Sequence, residues 1–135
     1  MNLYSTLVAL HVIASILGLG PLSALAFSTT TAGSFSVERT TRLMRWVAVS
    51  LLLVLATGAA TIYLTHGALG ELAWVRVSFG LFLVLGALHG VARKQLRRIA
   101  AAGPPALPGK ILAPILWAMC GVVAVITYLM EAKPF

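Results

Sequence analysis

Few side chains in this sequence are equipped for chemistry. His11, His66 and His89 are its only histidines, Cys120 is its only cysteine, and Arg76 stands near a membrane edge. His11 is the most informative of them. It shares a helical face with Ser15, Gly18 and Leu22 at steps of four, three and four, so it points into a helix bundle rather than at lipid. An ionisable side chain at that depth is costly and by default marks function: an axial haem ligand, a metal ligand or a proton carrier. The alternative is a neutral imidazole hydrogen-bonded across the bundle to a hydroxyl such as Thr57 or Thr61. His66, Glu71 and Arg76 gather elsewhere, at one membrane edge. Arg76 there either pairs with Glu71 or reaches the interface beside Trp74; as a functional group it would hold a propionate, a carboxylate or a quinone headgroup near His11. His89 is followed one turn later by Arg93 and reads as an interfacial histidine near phosphate headgroups. Cys120 lies in mid-span, where a thiol is a small hydrophobe rather than a reactive thiolate. No span carries an Asp or Glu, and none of H-E-x-x-H, C-x-x-C, G-x-S-x-G or a P-loop occurs. Carboxylate-pair catalysis and metal hydrolysis therefore have no parts here, and enzymatic activity stays undecided.

The elements that must position these groups are dictated by the solvent. Hydrophobic residues make up 60% of the 135 residues and charged ones 10%, against about a quarter charged in a soluble domain. The mean hydropathy of +1.00 makes the bilayer that solvent. A spanning helix needs roughly 20 mostly apolar residues, and four segments meet the requirement: about 3–27, 46–65, 72–92 and 111–130. They must be helices, because an unclosed strand leaves backbone groups unpaired in lipid. Short connections make successive helices antiparallel. The expected fold is an all-α, integral membrane four-helix up-down bundle, with residues 1–135 forming a single transmembrane domain.

Local signals refine it. Ala24-Leu25-Ala26 resembles a signal cleavage site, but no positive residue precedes the apolar run and the run exceeds a signal core, so the first span is expected to be retained. Pro21 should kink or loosen that span. A polar loop follows over 28–34. Ser36 is the expected N-cap of the second helix, which carries Arg39 and Arg42 at the interface before Trp46 marks hydrocarbon. Gly67-Ala68-Leu69-Gly70 is the next turn, and Trp74 anchors the third helix. That helix is expected to run past the membrane from Arg93 to Ile99, before Pro104, Pro105 and Pro108 break it. Small residues mark the faces where helices meet in lipid: Ser50, Thr57, Gly58, Thr61 and Thr65 on the second, the G-x-x-x-G pair Gly86 and Gly90 on the third, and Ala113, Trp117, Cys120, Gly121, Ala124 and Thr127 on the fourth.

Charge supplies the orientation. Arg39, Arg42 and Arg45 lie between the first two spans, and Arg93, Lys94, Arg97, Arg98 and Lys110 between the last two; the opposite side holds only Arg76 and Lys133. The positive-inside rule places both basic loops in the cytoplasm and both termini outside (N-out/C-out), in a bacterial-type inner membrane. The net charge of +7 then serves topology and anionic lipid rather than nucleic acid. This orientation puts His11 roughly 10 Å below the outer surface and His89 about 20 Å or more down the third helix. Rings on such different levels argue against a bis-histidine haem and leave the single-ligand version.

The stretch Leu10-His11-Val12-Ile13-Ala14-Ser15-Ile16-Leu17-Gly18 resembles the Leu-His start of several small bacterial membrane families. One is a family of four-span proteins of unknown function, where the likeness extends to Trp74-Val75-Arg76-Val77-Ser78 and the basic run after the third span. More distant are the membrane haem-dependent protoporphyrinogen oxidases and the copper-resistance proteins of the CopD type. The oxidase resemblance implies haem binding by His11.

Two functional expectations follow. The first is a non-catalytic inner-membrane component, an accessory subunit or homo-oligomer whose glycine-rich helix faces meet a membrane-protein partner within the lipid bilayer. The second is a haem b- or quinone-binding redox protein using His11, with Arg76 and His66 at the outer end.

Overall fold

Residues 2–31, 35–103 and 111–133 are described by the computed structural model, and among them there is no strand. Four long helices cross the length of the molecule: α1 (Leu3–Thr30), α2 (Val37–Leu64), α4 (Ala73–Ala102) and α5 (Leu112–Ala132), with a single turn, α3 (Ala68–Glu71), between the second and third spans. Each long helix is apolar and long enough to cross a membrane, so the chain is an all-α, multi-pass membrane protein.

The helices cover the four expected spans to within one residue at each end and outrun several of them. α2 is helical from Val37, nine residues ahead of Trp46, because the Ser36 side chain caps it by accepting from the Arg39 N–H at 3.4 Å. Arg42 and Glu38 pair across that first turn at 3.0 Å, an exposed contact of small energetic weight. α1 stays helical through Thr30, into the expected loop, where Ser28, Thr29 and Thr30 each donate a hydroxyl to a carbonyl three residues back at 2.8 Å. α4 passes Arg93 and Ile99 and ends at Ala102. Residues 32–34 of the polar loop, the prolines of 104–108 and Lys110 lie outside the described residues. Between α2 and α3 the backbone turns through two left-handed residues, His66 (φ 53°) and Gly67 (φ 85°), the second of which favours glycine.

The long helices form a closed ring in which α1 contacts α2 and α5, and α4 contacts α2 and α5, leaving α1 opposite α4 and α2 opposite α5. All neighbours run antiparallel. The α1–α2 seam follows a heptad on both sides. On α1 it runs through His11, Ser15, Gly18, Leu22, Leu25 and Thr29, and on α2 the residues that meet it include Ser50, Thr57 and Gly58. A 3.5-residue repeat is the spacing that left-handed helix packing needs. Two close approaches fix its register: His11 against Thr57, and, seven residues along each helix, Gly18 against Ser50. The second half of the core is built of larger side chains, with Leu85, Ala92 and Leu96 of α4 and Leu112, Leu116 and Met119 of α5 all buried.

Proline inside α1 takes a specific form. Pro21 has no N–H, so the Leu17 carbonyl loses its donor four residues on, yet α1 continues as one helix. The indole Nε1–H of Trp46, reaching across from α2, donates to that carbonyl at 3.1 Å. Trp46 thus answers a missing backbone donor in lipid, where an unpaired carbonyl is expensive, as well as marking the edge of the hydrocarbon. Trp46→Phe is expected to lower stability by roughly 0.6–1.7 kcal/mol, the range for single hydrogen bonds between membrane helices. The loss should largely vanish in a Pro21→Ala background, where the alanine N–H restores the backbone donor. Equal losses in both backgrounds, measured by unfolding in mixed micelles, would show that the indole bond carries no weight.

Candidate functional site

His11 sits in the α1–α2 seam, partly buried, and its Nδ1 lies 2.9 Å from Thr57 Oγ1. The room for the ring comes from Gly58, where an added Cβ would approach His11 Cε1 to 3.3 Å. The hydrogen positions follow from the partners. Thr57 has one hydroxyl hydrogen, and its oxygen lies 2.7 Å from the Leu53 carbonyl and 3.2 Å from that of Val54, so the hydrogen is spent inside α2. The hydroxyl must then accept from His11, which places the imidazole hydrogen on Nδ1 and the lone pair of the neutral ring on Nε2. This is the pairing with Thr57 that the spacing of α1 allowed for. It ties the one histidine of the seam into the helix-helix contact.

The neighbouring hydroxyls are satisfied within their own helices. Ser15 donates to His11 O, Ser50 to Trp46 O and Thr61 to Thr57 O, at 2.8, 3.0 and 2.8 Å. A polar stripe whose hydroxyls bond one turn back is tolerable in lipid and needs no ligand.

His66 and Arg76 do not join His11. His66 occupies the α2–α3 turn, and Arg76 Nε donates to Gly70 O at 3.1 Å, closing that turn onto the start of α4. The guanidinium thus bonds this carbonyl and makes no ion pair with Glu71 among the described residues. Thr57, at the level of His11, lies seven residues down α2 from Leu64, about 10 Å at 1.5 Å per residue. Among the described residues no hydrogen bond or ion pair links His11 with either group, and no three His, Cys, Asp or Glu side chains gather as a metal site. The three positions form a seam contact and a capped turn.

His89 departs from expectation. Rather than facing headgroups, it is 7% exposed and belongs to the inward heptad of α4 with Leu85, Ala92 and Leu96. Neither ring nitrogen has a protein partner among the described residues. An unsatisfied buried imidazole costs about 1–3 kcal/mol, so His89→Leu, which keeps the volume apolar, is expected to raise stability by about 1 kcal/mol. A loss of stability in thermal unfolding would mean that His89 has a partner outside the described residues.

Of the small residues of the last two spans, Ala113 is buried as expected, but most of the others point outward. Gly86, Gly90 and Gly121 are exposed, and a Cβ at any of them would meet nothing within 4 Å. Ala124 and Thr127 are exposed too, and Trp117 meets Phe27 of α1 edge-on, with centroids 4.9 Å apart. The buried core between α4 and α5 is mainly leucine and methionine, with Leu85, Leu96, Leu112, Leu116 and Met119. Cys120 is half-buried against the core.

No family model, curated protein or solved structure matches the chain.

Proposed function

We propose that the protein is a non-catalytic membrane component that assembles laterally, through the outward faces of α4 and α5, with a membrane-protein partner or a second copy of itself. The observation that carries this reading is the G-x-x-x-G pair. Gly86 and Gly90 are turned away from the bundle, with open space where side chains would be. In lipid such pairs let two helix backbones approach closely. No more than 28% of any span's apolar stretch is buried within the bundle, so most of the helical surface is available to lipid or protein. The His11 ring, the residue best suited to chemistry, is engaged by Thr57, which agrees with a structural role.

The test is assembly rather than turnover. Gly86→Leu with Gly90→Leu should leave the monomer folded, since nothing within the bundle touches either position. It should abolish energy transfer between donor- and acceptor-labelled copies in vesicles, or co-purification of the native complex. Retention of both would end the proposal. The same reading places the basic helix ends in the cytoplasm of a bacterial-type inner membrane, with both termini outside; a C-terminal reporter active in the cytoplasm would reverse it.

A second reading, a haem b- or quinone-binding redox protein, draws on one observation. The Thr57 bond leaves the lone pair on His11 Nε2, and a ligating histidine is commonly oriented by such a bond to its other nitrogen. A Soret band in protein from haem-replete cells, lost in His11→Ala, would favour it. A colourless preparation would exclude its haem version.

A further inference from the structure

At the basic end of the bundle, α2 and α4 part to leave a cleft of about 230 Å³ lined by Thr41, Met44 and Arg45 from α2 and by Arg93, Leu96, Arg97 and Ala100 from α4. Its floor is apolar: Met44 is 1% exposed and Leu96 4%. Three arginines line it. Arg93 and Arg97 stand one turn apart on α4 and Arg45 faces them from α2, so three charges from two helices converge on one opening.

Nothing among the described residues neutralises them. The sequence has three acidic side chains. Glu38 is held by Arg42 on the first turn of α2, and Glu71 and Glu131 lie at the other end of the bundle, at the end of α3 and near the end of α5. Thr41 adds no donor, since its hydroxyl donates to Val37 O at 2.7 Å. Arg93 and Arg97 also line a broader groove on the adjoining face of α4. Three like charges over an apolar floor, with no acidic side chain in reach, favour an anion from outside. Guanidinium groups match phosphate oxygens bidentately, and basic pockets between membrane helices on one face of the bilayer hold lipid headgroups.

We propose that this cleft is a binding site for an anionic phospholipid, whose phosphate is held by Arg45, Arg93 and Arg97 while its glycerol and the start of its acyl chains lie along Ala100 and the arginine stems, above Met44 and Leu96. The shared chemistry with a free phosphate is the oxyanion. What distinguishes the lipid is the apolar floor beneath it, and the site does not depend on the assembly proposed above.

Native mass spectrometry of the full chain released from detergent tests it, with phosphatidylglycerol, phosphatidylcholine and inorganic phosphate as separate additives. One phosphatidylglycerol should be retained per chain, phosphatidylcholine should not be, and inorganic phosphate in excess should leave the lipid in place. Arg45→Gln/Arg93→Gln/Arg97→Gln should weaken retention roughly a hundredfold. The control Arg39→Gln/Arg42→Gln/Arg98→Gln removes the same charge outside the cleft and should change it less than about threefold. Equal loss in both triples would overturn the site in favour of diffuse attraction. Displacement by inorganic phosphate, or equal retention of phosphatidylcholine, would overturn it on the unaltered protein, whatever the variants' folding.

Discussion

Gly18→Ala is expected to destabilise the bundle by about 3 kcal/mol, at the upper end of what one inserted methyl usually costs. The reason is geometric. A Cβ at Gly18 would overlap the Ser50 side chain, and the Ser50 backbone itself would stand at 3.3 Å. Neither can yield by rotating a flexible tail, so α1 and α2 must separate. The seam is the most extensive helix pairing of the ring, and its second fixed point, His11 with Thr57, lies one heptad away on the same register. Separation at Gly18 therefore also strains that bond. Ser50→Gly in the Gly18→Ala background removes the overlapping atoms and should recover at least half of the loss, with the remaining crowding against the α2 backbone accounting for the rest. Gly20 is the control. Its Cβ would meet nothing, so Gly20→Ala should be neutral or stabilising by up to about 1 kcal/mol through helix propensity. Equilibrium unfolding in mixed detergent micelles ranks the four proteins; a Gly18→Ala variant as stable as Gly20→Ala would refute the close approach.

That seam was half legible in the sequence. His11, Ser15, Gly18 and Leu22 declare a face by spacing alone, because only one side of a helix can carry small residues at steps of three and four and still pack. Thr57 as the histidine's partner was one of two hydroxyls the spacing allowed; the choice needed the register, which Gly18 and Ser50 set. The four spans were readable because hydrocarbon thickness fixes their length. Their ends were readable in part: the Ser36 cap of α2 and the run of α4 past Arg93 were, but the extension of α1 through Thr30 was not, since hydropathy records where lipid stops and not where backbone hydrogen bonding stops. Arg39, Arg42 and Arg45 on α2, and Arg93, Lys94, Gln95, Arg97 and Arg98 on α4, are polar yet good helix formers, and they continue α2 and α4 beyond the apolar stretch.

Which way the glycines of α4 point was not readable. Gly86 and Gly90 look the same in sequence whether they face a neighbour in the chain or the bilayer, because lipid gives glycine no penalty and leucine no inward drive. His89, one position from Gly90, is buried: the two lie about 100° apart on the helix, and the Leu85, Ala92 and Leu96 row takes the histidine inward with it. Arg45, Arg93 and Arg97 read as topology signals from charge alone. Their convergence appears only when α2 and α4 are neighbours in space, with Arg93 48 positions beyond Arg45 in sequence. Trp46 likewise resembled an interfacial anchor until Leu17, freed by Pro21, came within 3.1 Å.

The pair that decides between packing and chemistry is His11 with Thr57. Thr57→Val keeps the shape of the side chain and removes the acceptor, leaving the His11 Nδ1–H unpaired in the seam; the expected loss is about 1–2 kcal/mol, near the top of the range for membrane hydrogen bonds because a ring N–H is stranded. Replacing both partners by apolar groups is a different matter, since no polar atom is then left without a mate. His11→Leu with Thr57→Val should therefore stand closer to the unaltered protein than Thr57→Val alone, with a coupling of about 1 kcal/mol across the double-mutant cycle. Additive losses would show that the bond does not act in the membrane. The same double variant separates the two functional readings. If it folds and still assembles through α4 and α5, the histidine serves the seam, and Thr57 is a hydrogen-bond acceptor to a structural ring. If it folds but loses a Soret band present in the unaltered protein, the His11 ring was the iron ligand, and the part played by Thr57 is read from its own variant. In that case Thr57→Val alone should already loosen the haem by about 10–100-fold while His11 is intact, a loss that a purely structural pair would not produce.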